Sequence, residues 1–538
     1  MLSESPHHSK LQVLQLLRQV SMNGSASKTR VGLWPKRLLT GLIGVCLIAL
    51  VIVVSLFFIF QSDSSQAQFV SGRDVMSSTL LIPQASGPLT VHPENSRYFA
   101  DTSGRAVYLT GSHHWDSLQD SAQIGAPLGI FDYSGYLEYL ASQKHNFMRM
   151  WVYEGGGNLK YAEPLPYVRT GPGTGSDGKL RFDLRQLNQG YFDRLRARVM
   201  AAQDKGIYVS VMLFNGWGLY DNGHGNPWPL HPFNEANNIN GINGDASGDA
   251  QKVVHTLRVP SITRLQEAYV EKVIDTLNDL DNVLYEIVNE DKATAENAAW
   301  QYHFIEYIHQ SEREKAKQHP VGMTVQWPNG NNQVLYDSPA DWISPNPDGG
   351  YAVNPPTAHH GKVVVTDTDH LFGTGGDFSW VWKSFLRGLN PIYMDPLHFL
   401  VHTQEDPAGA EAARTAMSYT RYLARRINLA AMVPHNELCS TTFCLADPQR
   451  EYLVYLPFGS HWLGPWIEFL PYGIESWINS YLCCSVAVDL SVVSRELSVE
   501  WFSVSSGVTV SGGTISGGAK KRFVAPFSGD AVLHLSAR

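Results

Sequence analysis

Charge is scarce in this chain. Asp, Glu, Lys and Arg make up 17% of its 538 residues and leave a formal net charge of −9. After the first forty residues no long run of Lys or Arg occurs, which argues against a nucleic-acid partner. Cysteine is rarer still, with five in all, no CxxC and no Cys/His zinc spacing, which leaves neither a zinc fold nor a thioredoxin-type redox motif. The peptidase and esterase signatures HExxH and GxSxG are also absent. No Gly-rich phosphate loop follows the first candidate strand, which disfavours a doubly wound nucleotide-binding sheet.

What the chain does contain is apolar. Hydrophobic residues reach 43%, a globular balance, and they concentrate in one run from Leu38 to Phe60, LLTGLIGVCLIALVIVVSLFFIF, where only Thr40 and Ser55 are polar. A helix needs roughly 20 apolar residues to cross a bilayer. Lys28, Arg30, Lys36 and Arg37 precede the run, and Gln61, Ser62 and Asp63 follow it. The positive-inside rule then predicts a type II signal anchor, with residues 1–37 in the cytoplasm, 38–60 in the lipid and everything later outside. The alternative, a cleaved signal peptide, would have a shorter apolar core and a shorter charged leader. Cys46 falls in the span. Cys439, Cys444, Cys483 and Cys484 lie beyond it, an even number free to bridge in an oxidising compartment.

Residues 61–87 are rich in Ser, Gln and Gly and read as a stalk. From residue 88 onward short β-type runs alternate with helical patterns. The strands are AVYLT from Ala106, FMRMWV from Phe147, IYVSVMLF from Ile207, VLYEIV from Val283, Val321–Gln326, Trp342–Ser344, KVVVT from Lys362 and PIYM from Pro391. Eight βα units predict a (β/α)8 TIM barrel over 88–428. After Asn428 the pattern changes to EYLVYLP, SVAVDLS, LSVEWFSV, KRFVAPF and AVLHLS with Gly/Ser turns between them. That predicts an antiparallel β-sandwich over 429–538, interrupted by an aromatic-rich segment, 459–485, whose Pro465, Glu468, Pro471 and Glu475 argue against a second membrane span.

Catalytic groups of such barrels stand at the C-terminal ends of the strands. Strand four ends in Asn289-Glu290 and strand seven in Asp367-Thr368-Asp369-His370, so carboxylates from opposite sides of the mouth can flank a substrate. One carboxylic acid can protonate a departing oxygen while the other attacks or activates water. Glu290 is the acid candidate, and Asp367 and Asp369 compete for the second position, each also able to orient His370 or cap the next helix. His113, His114 and Trp115 follow strand one, and Trp151, Trp217 and Trp327 sit at or beyond other strand ends, where rings stack on sugars or simply pack. Asp395, past strand eight, can bind a hydroxyl or cap a turn. A metal on the two adjacent histidines is disfavoured, because neighbouring strand residues point to opposite faces.

NVLYEIVNE resembles the strand-four motif of cellulase-like clan A glycoside hydrolases, where an Asn-Glu pair ends the strand. That resemblance implies Glu290 as acid/base and Asn289 as the holder of the adjacent sugar hydroxyl. Arg149 in FMRMW is similar to the arginine placed beneath the nucleophile, and KVVVTD puts Asp367 where the nucleophile belongs. The clan's strand-seven carboxylate is normally Glu; here it is Asp. The tail, with EYLVYLP, VEWF and APFSGDAVLHL, is similar to the collagen-binding-type domain that follows apiosidase-like barrels. The expectation is a membrane-anchored, extracytoplasmic glycosidase that needs a carbohydrate substrate and no cofactor. The rival expectation, which the Asp-for-Glu change favours, is an inactive barrel that binds a glycan or matrix polymer.

Overall fold

The computed structural model describes residues 85–123, 126–157, 160–220, 225–245, 252–358, 361–395, 409–458 and 485–537. The expected cytoplasmic segment 1–37, the membrane span and nearly all of the stalk lie outside the described residues, as do most of segment 459–485 and with it Cys483 and Cys484. No helix among the described residues is long and apolar enough to cross a membrane.

Eight strands form one all-parallel sheet: β1 (Gly111–His113), β2 (Phe147–Met150), β3 (Tyr208–Asn215), β4 (Val283–Asn289), β5 (Val321–Thr324), β6 (Trp342–Ser344), β7 (Val363–Asp367) and β8 (Asn390–Met394). Their order is β1-β8-β7-β6-β5-β4-β3-β2. A parallel bridge between His114 and Met150 brings the two ends together, so the sheet curls into a barrel. Alternation along each strand sorts the side chains. Phe147, Tyr208, Leu284, Trp342, Val363 and Ile392 pack in one cluster with Leu89 and Phe99, while Met148, Val209, Val283, Met323 and Val364 belong to the cluster shared with the helices. Gly322 faces Trp342: a Cβ there would come within 1.9 Å of the indole, so the ring lies across the position a side chain would take.

The first strand begins later than its sequence suggests. Ala106–Val107 pairs antiparallel with Phe99–Ala100, outside the barrel, and β1 starts only at Gly111. Between them the backbone bonds to asparagine side chains: Leu109 N–H donates to Asn390 at 3.0 Å and Thr110 N–H to Asn146 at 3.0 Å. The remaining barrel strands lie within a few residues of their expected places. A hairpin of Tyr167–Thr174 and Leu180–Leu187 inserted before the second helix was not foreseen.

The helices start where capping chemistry permits. Helix α1 (Tyr133–Ser142) is capped by Asp132, α2 (Gln189–Asp204) by Asn188 and α4 (Ala295–Glu312) by Thr294, while α3 (Pro260–Leu277) opens on proline. Helices α5 (Asn332–Asp337), α6 (Phe378–Leu386) and α7 (Ala410–Ala424) complete the ring. On α3 the buried Ile262, Tyr269, Val270, Val273, Ile274 and Leu277 recur at helical spacing and turn one stripe to the barrel.

The tail forms a six-stranded antiparallel sheet, with a two-stranded sheet beside it. Central strand β9 (Glu451–Leu456) shows why its sequence is almost continuously apolar. Leu453 and Tyr455 join the barrel's core, whereas Tyr452, Val454 and Leu456 pack into a second cluster with Val486 and Val488. Both faces are therefore buried. Trp382 of α6 is fully buried at this junction, its ring 6.0 Å from that of Tyr455 and 5.9 Å from that of Phe502. Cys439 and Cys444 are buried free thiols in the tail. Trp382→Ala should cost about 3–5 kcal/mol and lower barrel and tail stability together. Urea unfolding followed by near-UV and far-UV circular dichroism checks this; two separated transitions in the wild type would contradict the shared core.

Candidate active site

Arg149 is the only charged residue in the run FMRMWV, and alternation turns it into the barrel beside Phe147. It is 1% exposed. All five of its N–H donors are engaged: Nε and Nη2 grip Glu286 at 2.9 and 2.5 Å, Nη2 also reaches Asn289 Oδ1 at 2.7 Å, and Nη1 reaches Asp367 at 2.8 Å and Asp369 at 3.1 Å. Burial works against the guanidinium charge, but Glu286 and Asp367 more than offset it and hold its pKa well above the ordinary value.

Asp367 ends β7 with no exposure. Its Oδ1 faces His113 Nε2 at 2.9 Å and accepts the Asp369 N–H at 3.0 Å, while Oδ2 takes Arg149. Trp151 Nε1–H donates to His113 Nδ1 at 2.8 Å, which puts the imidazole proton on Nε2, directed at Asp367. Burial would raise this carboxyl, yet His113 and Arg149 hold it far below the carboxylate range. His370 lies between Ser344, 2.7 Å from Nδ1, and Asn289 Oδ1, 3.2 Å from Nε2. Burial and Arg149 bring its pKa down to about 3, so it is a neutral donor to Asn289. Accepting from both Arg149 and His370 fixes the Asn289 amide, and its buried Nδ2 has no protein partner among the described residues. Such a donor is costly to leave unmet.

Asp367, Asp369 and His370 place ligand atoms within 4.8 Å of one another, a metal-like grouping. Here, however, the Arg149 guanidinium bonds both carboxylates and both His370 nitrogens are engaged. The cation these oxygens hold is the arginine.

Glu290 stands just past β4 at φ 44°, a left-handed backbone that costs a non-glycine residue on the order of 1–3 kcal/mol. Gly216 makes room for it, since a Cβ there would sit 2.7 Å from the Glu290 carbonyl and 2.6 Å from the Asp291 Cα. Trp327 N–H holds the Asp291 carbonyl at 2.7 Å. The Asp291 side chain binds His255 Nδ1 at 2.5 Å and Asn297 at 2.7 Å, and His255 Nε2 lies 3.0 Å from Glu154. Burial would discharge His255, but Glu154 and Asp291 push its pKa up to about 10; burial would raise Glu154, but His255 and His231 draw it down to about 2. A buried imidazolium between two carboxylates thus anchors the long β3–α3 loop beneath Glu290.

Glu290 is 8% exposed, and its carboxyl accepts from Trp217 Nε1 at 2.6 Å. Burial, then the Asp369 charge, raises its pKa well above the ordinary value, with Trp217 and Arg149 opposing. Asp369, with a side chain 7% exposed, is raised to about 6 by burial and Asp367 against the pull of Arg149. Asp369 is thus ionised above about pH 6, while Glu290 is pushed towards its protonated form, the direction in which an acid for bond cleavage is tuned.

The structure brings Arg149, Asn289, Glu290, Asp367, Asp369, His370, His113, Trp151 and Trp217 into one site. Trp327, 39% exposed, lies 5.9 Å from the Trp217 ring at the same mouth. His114 instead stacks on Trp115 and Phe131, at 4.5 and 5.0 Å. Asp395 forms a bidentate pair with Arg414 of α7 at 2.9 and 2.6 Å, tying that helix to the end of β8. Sequence reading missed Glu286, although a carboxylate inside VLYEIV, four residues before Glu290 and on the same alternation, was a visible signal. Glu154, His255 and Asp291 carry no comparable pattern.

No curated protein matches the chain. A family model described as a domain of unknown function (DUF6298) matches residues 155–338. Among solved structures the chain is similar to a glycoside hydrolase at 13% identity and TM-score 0.50, covering 84% of this chain and 97% of that one. It is also similar to a glycoside hydrolase family 5 protein from Bacteroides vulgatus ATCC 8482, at 13% identity and TM-score 0.50 over 84% and 93% of the two chains. A third, a glycoside hydrolase candidate from the same organism, gives 11% identity and TM-score 0.53 over 85% and 83%. At such identity the likeness speaks to the fold. That fold is the TIM barrel.

His255→Gln removes the charge between two buried carboxylates and should cost about 3–5 kcal/mol. The folded pKa of about 10 lies above the unfolded value of roughly 6.5. The stabilisation is therefore full below the lower value and lost as pH rises through the upper one. Urea titrations should show the wild type and variant converging towards pH 10; a gap that stays constant to that pH would remove the imidazolium from the account.

Proposed function

We propose that this protein is a glycoside hydrolase in which Glu290 donates a proton to the departing glycosidic oxygen and Asp369 acts at the anomeric centre, as nucleophile or as base towards water. The observation that carries this reading is the placement of two carboxyls past the C-terminal ends of β4 and β7 in one largely buried site, Glu290 accepting from Trp217 at 2.6 Å and Asp369 from Arg149 at 3.1 Å, with burial raising both. Asp367 takes the supporting part, because both its oxygens are committed to His113, Arg149 and a backbone N–H in a fully buried position. Asn289 Nδ2, buried without a protein partner, offers a donor to a sugar hydroxyl. Trp217 and Trp327 offer indole faces for the sugar ring. The barrel likeness to glycoside hydrolases supports the same reading.

The aspartate on strand seven is shorter than the glutamate that clan A enzymes carry there, and this favours a second reading, a barrel that binds a glycan without cleaving it. The tail motifs EYLVYLP and VEWF support placing the chain with the apiosidase-like barrels and their collagen-binding-type sandwich. The apolar run at 38–60, with its basic flank, supports an anchored protein whose site faces the extracytoplasmic side.

A panel of plant, algal and microbial polysaccharides, assayed for reducing ends, tests the reaction. Glu290→Gln and Asp369→Asn should each lower kcat by about 10²–10⁴-fold, and the anomer released, read by NMR, separates retention from inversion. A folded wild type that binds a glycan, with no turnover and with affinity unchanged in Glu290→Gln, would establish the binding reading instead. With Asp369 required ionised, activity should fall as pH drops through about 6; with Glu290 required protonated, it should fall again on the alkaline side. An acid limb that survives Asp369→Asn in residual activity would assign that limb elsewhere.

A further inference from the structure

A cavity of about 230 Å³ opens at the opposite end of the barrel, and Arg105, Arg421 and Arg425 line it together with Asn146, Tyr208 and Ile427. Asn146 immediately precedes β2 and Tyr208 begins β3, so the cavity sits at the N-terminal end of the strands, away from Glu290 and Asp369. Three guanidiniums around one small space repel one another, and the described residues supply little to balance them. Asp101 pairs with Arg105 at 3.2 Å. Neither Arg421 nor Arg425 pairs with a carboxylate among the described residues.

Arg421 is the informative member. It is only 9% exposed, and a buried cation ordinarily has an anionic partner. Its one protein acceptor among the described residues is the backbone carbonyl of Lys144, just beyond α1. Although Arg421 lies in the last turn of α7, the guanidinium is therefore not spent on the terminal carbonyls of that helix. Burial and repulsion from Arg425 and Arg105 pull its pKa down to about 10, and Arg425 is lowered by burial and by Arg105. The protein thus bears the cost of a cationic cluster within its own described structure.

We infer that this basal cavity is a binding site for a small oxyanion (phosphate, sulfate or carboxylate), held by Arg421 and Arg425 with Arg105 at the rim. Guanidinium N–H groups match the oxygens of all three anions. The volume is below the ~300–1,000 Å³ of drug-sized ligand sites, which limits the occupant to an ion or a small molecule bearing one. Position sets the consequence: the ligand binds far from the reacting carboxyls and contributes to stability, as mass action requires of any ligand selective for the folded state. This inference does not rest on the proposed hydrolase reaction.

The test is thermal unfolding of the full chain in detergent, followed by tryptophan fluorescence at fixed ionic strength. Inorganic phosphate, sulfate and glucuronate are titrated separately against chloride. At least one oxyanion should raise Tm saturably in the wild type, and the arm that does so names the anion. Arg421→Met retains much of the side-chain stem. Arg425→Gln changes an exposed residue and is the safer variant for folding. Each should weaken the apparent Kd by about tenfold. If no oxyanion exceeds chloride in the wild type, the inference fails. It fails equally if both variants respond as the wild type does.

Discussion

A single guanidinium organises the interior of this barrel. Arg149 is surrounded by Glu286, Asp367, Asp369 and Asn289, and its five N–H groups are divided among them. Removing such a group from water is expensive unless every donor is met and the charge is balanced. Glu286 and Asp367 together carry two negative charges against one positive. Beyond this cluster, burial first and neighbouring carboxylates second raise the carboxyls at the mouth, Asp369 to about 6 with Asp367 adding to burial, and Glu290 well above its ordinary value with Asp369 adding to burial. Arg149 opposes both shifts.

Two supports keep Glu290 where that electrostatic field acts on it. On one side Asn289 is pinned by Arg149 and His370, and on the other Asp291 is pinned by His255 and Asn297. The strained backbone between them has little freedom to relax. The long β3–α3 loop is itself secured by the same imidazolium, so a loop rich in Asn and Gly presents Trp217 to Glu290 at a fixed distance.

Much of the fold could be read from the chain. Short, nearly continuous apolar runs separated by helical patterns placed seven of the barrel strands near their observed positions, and EYLVYLP and AVLHLS marked the antiparallel tail. The first strand slipped because AVYLT has the right residues for a strand, yet Asn146 and Asn390, distant in sequence, take the hydrogen bonds of its second half. The site was legible at Glu290 as a carboxyl at the end of an apolar strand, and at Arg149 through the likeness of FMRMW to the clan A motif. It was not legible at His255, since a histidine in a long loop becomes an imidazolium only when the fold puts carboxylates on both of its nitrogens.

Sequence alone determined which runs were apolar enough to be buried and which ends of the strands carried carboxyls. It left Asp367 and Asp369 equivalent, as two aspartates two residues apart at the end of one strand. Tertiary structure separated them. Asp367 turns inward to His113 and Arg149 and is held charged, while Asp369, in the helical turn that follows, keeps a single bond to Arg149 and a carboxyl raised by burial. The difference arises from the dielectric and the partners around each carboxyl, and those are properties of the packed barrel, assembled from strands more than two hundred residues apart.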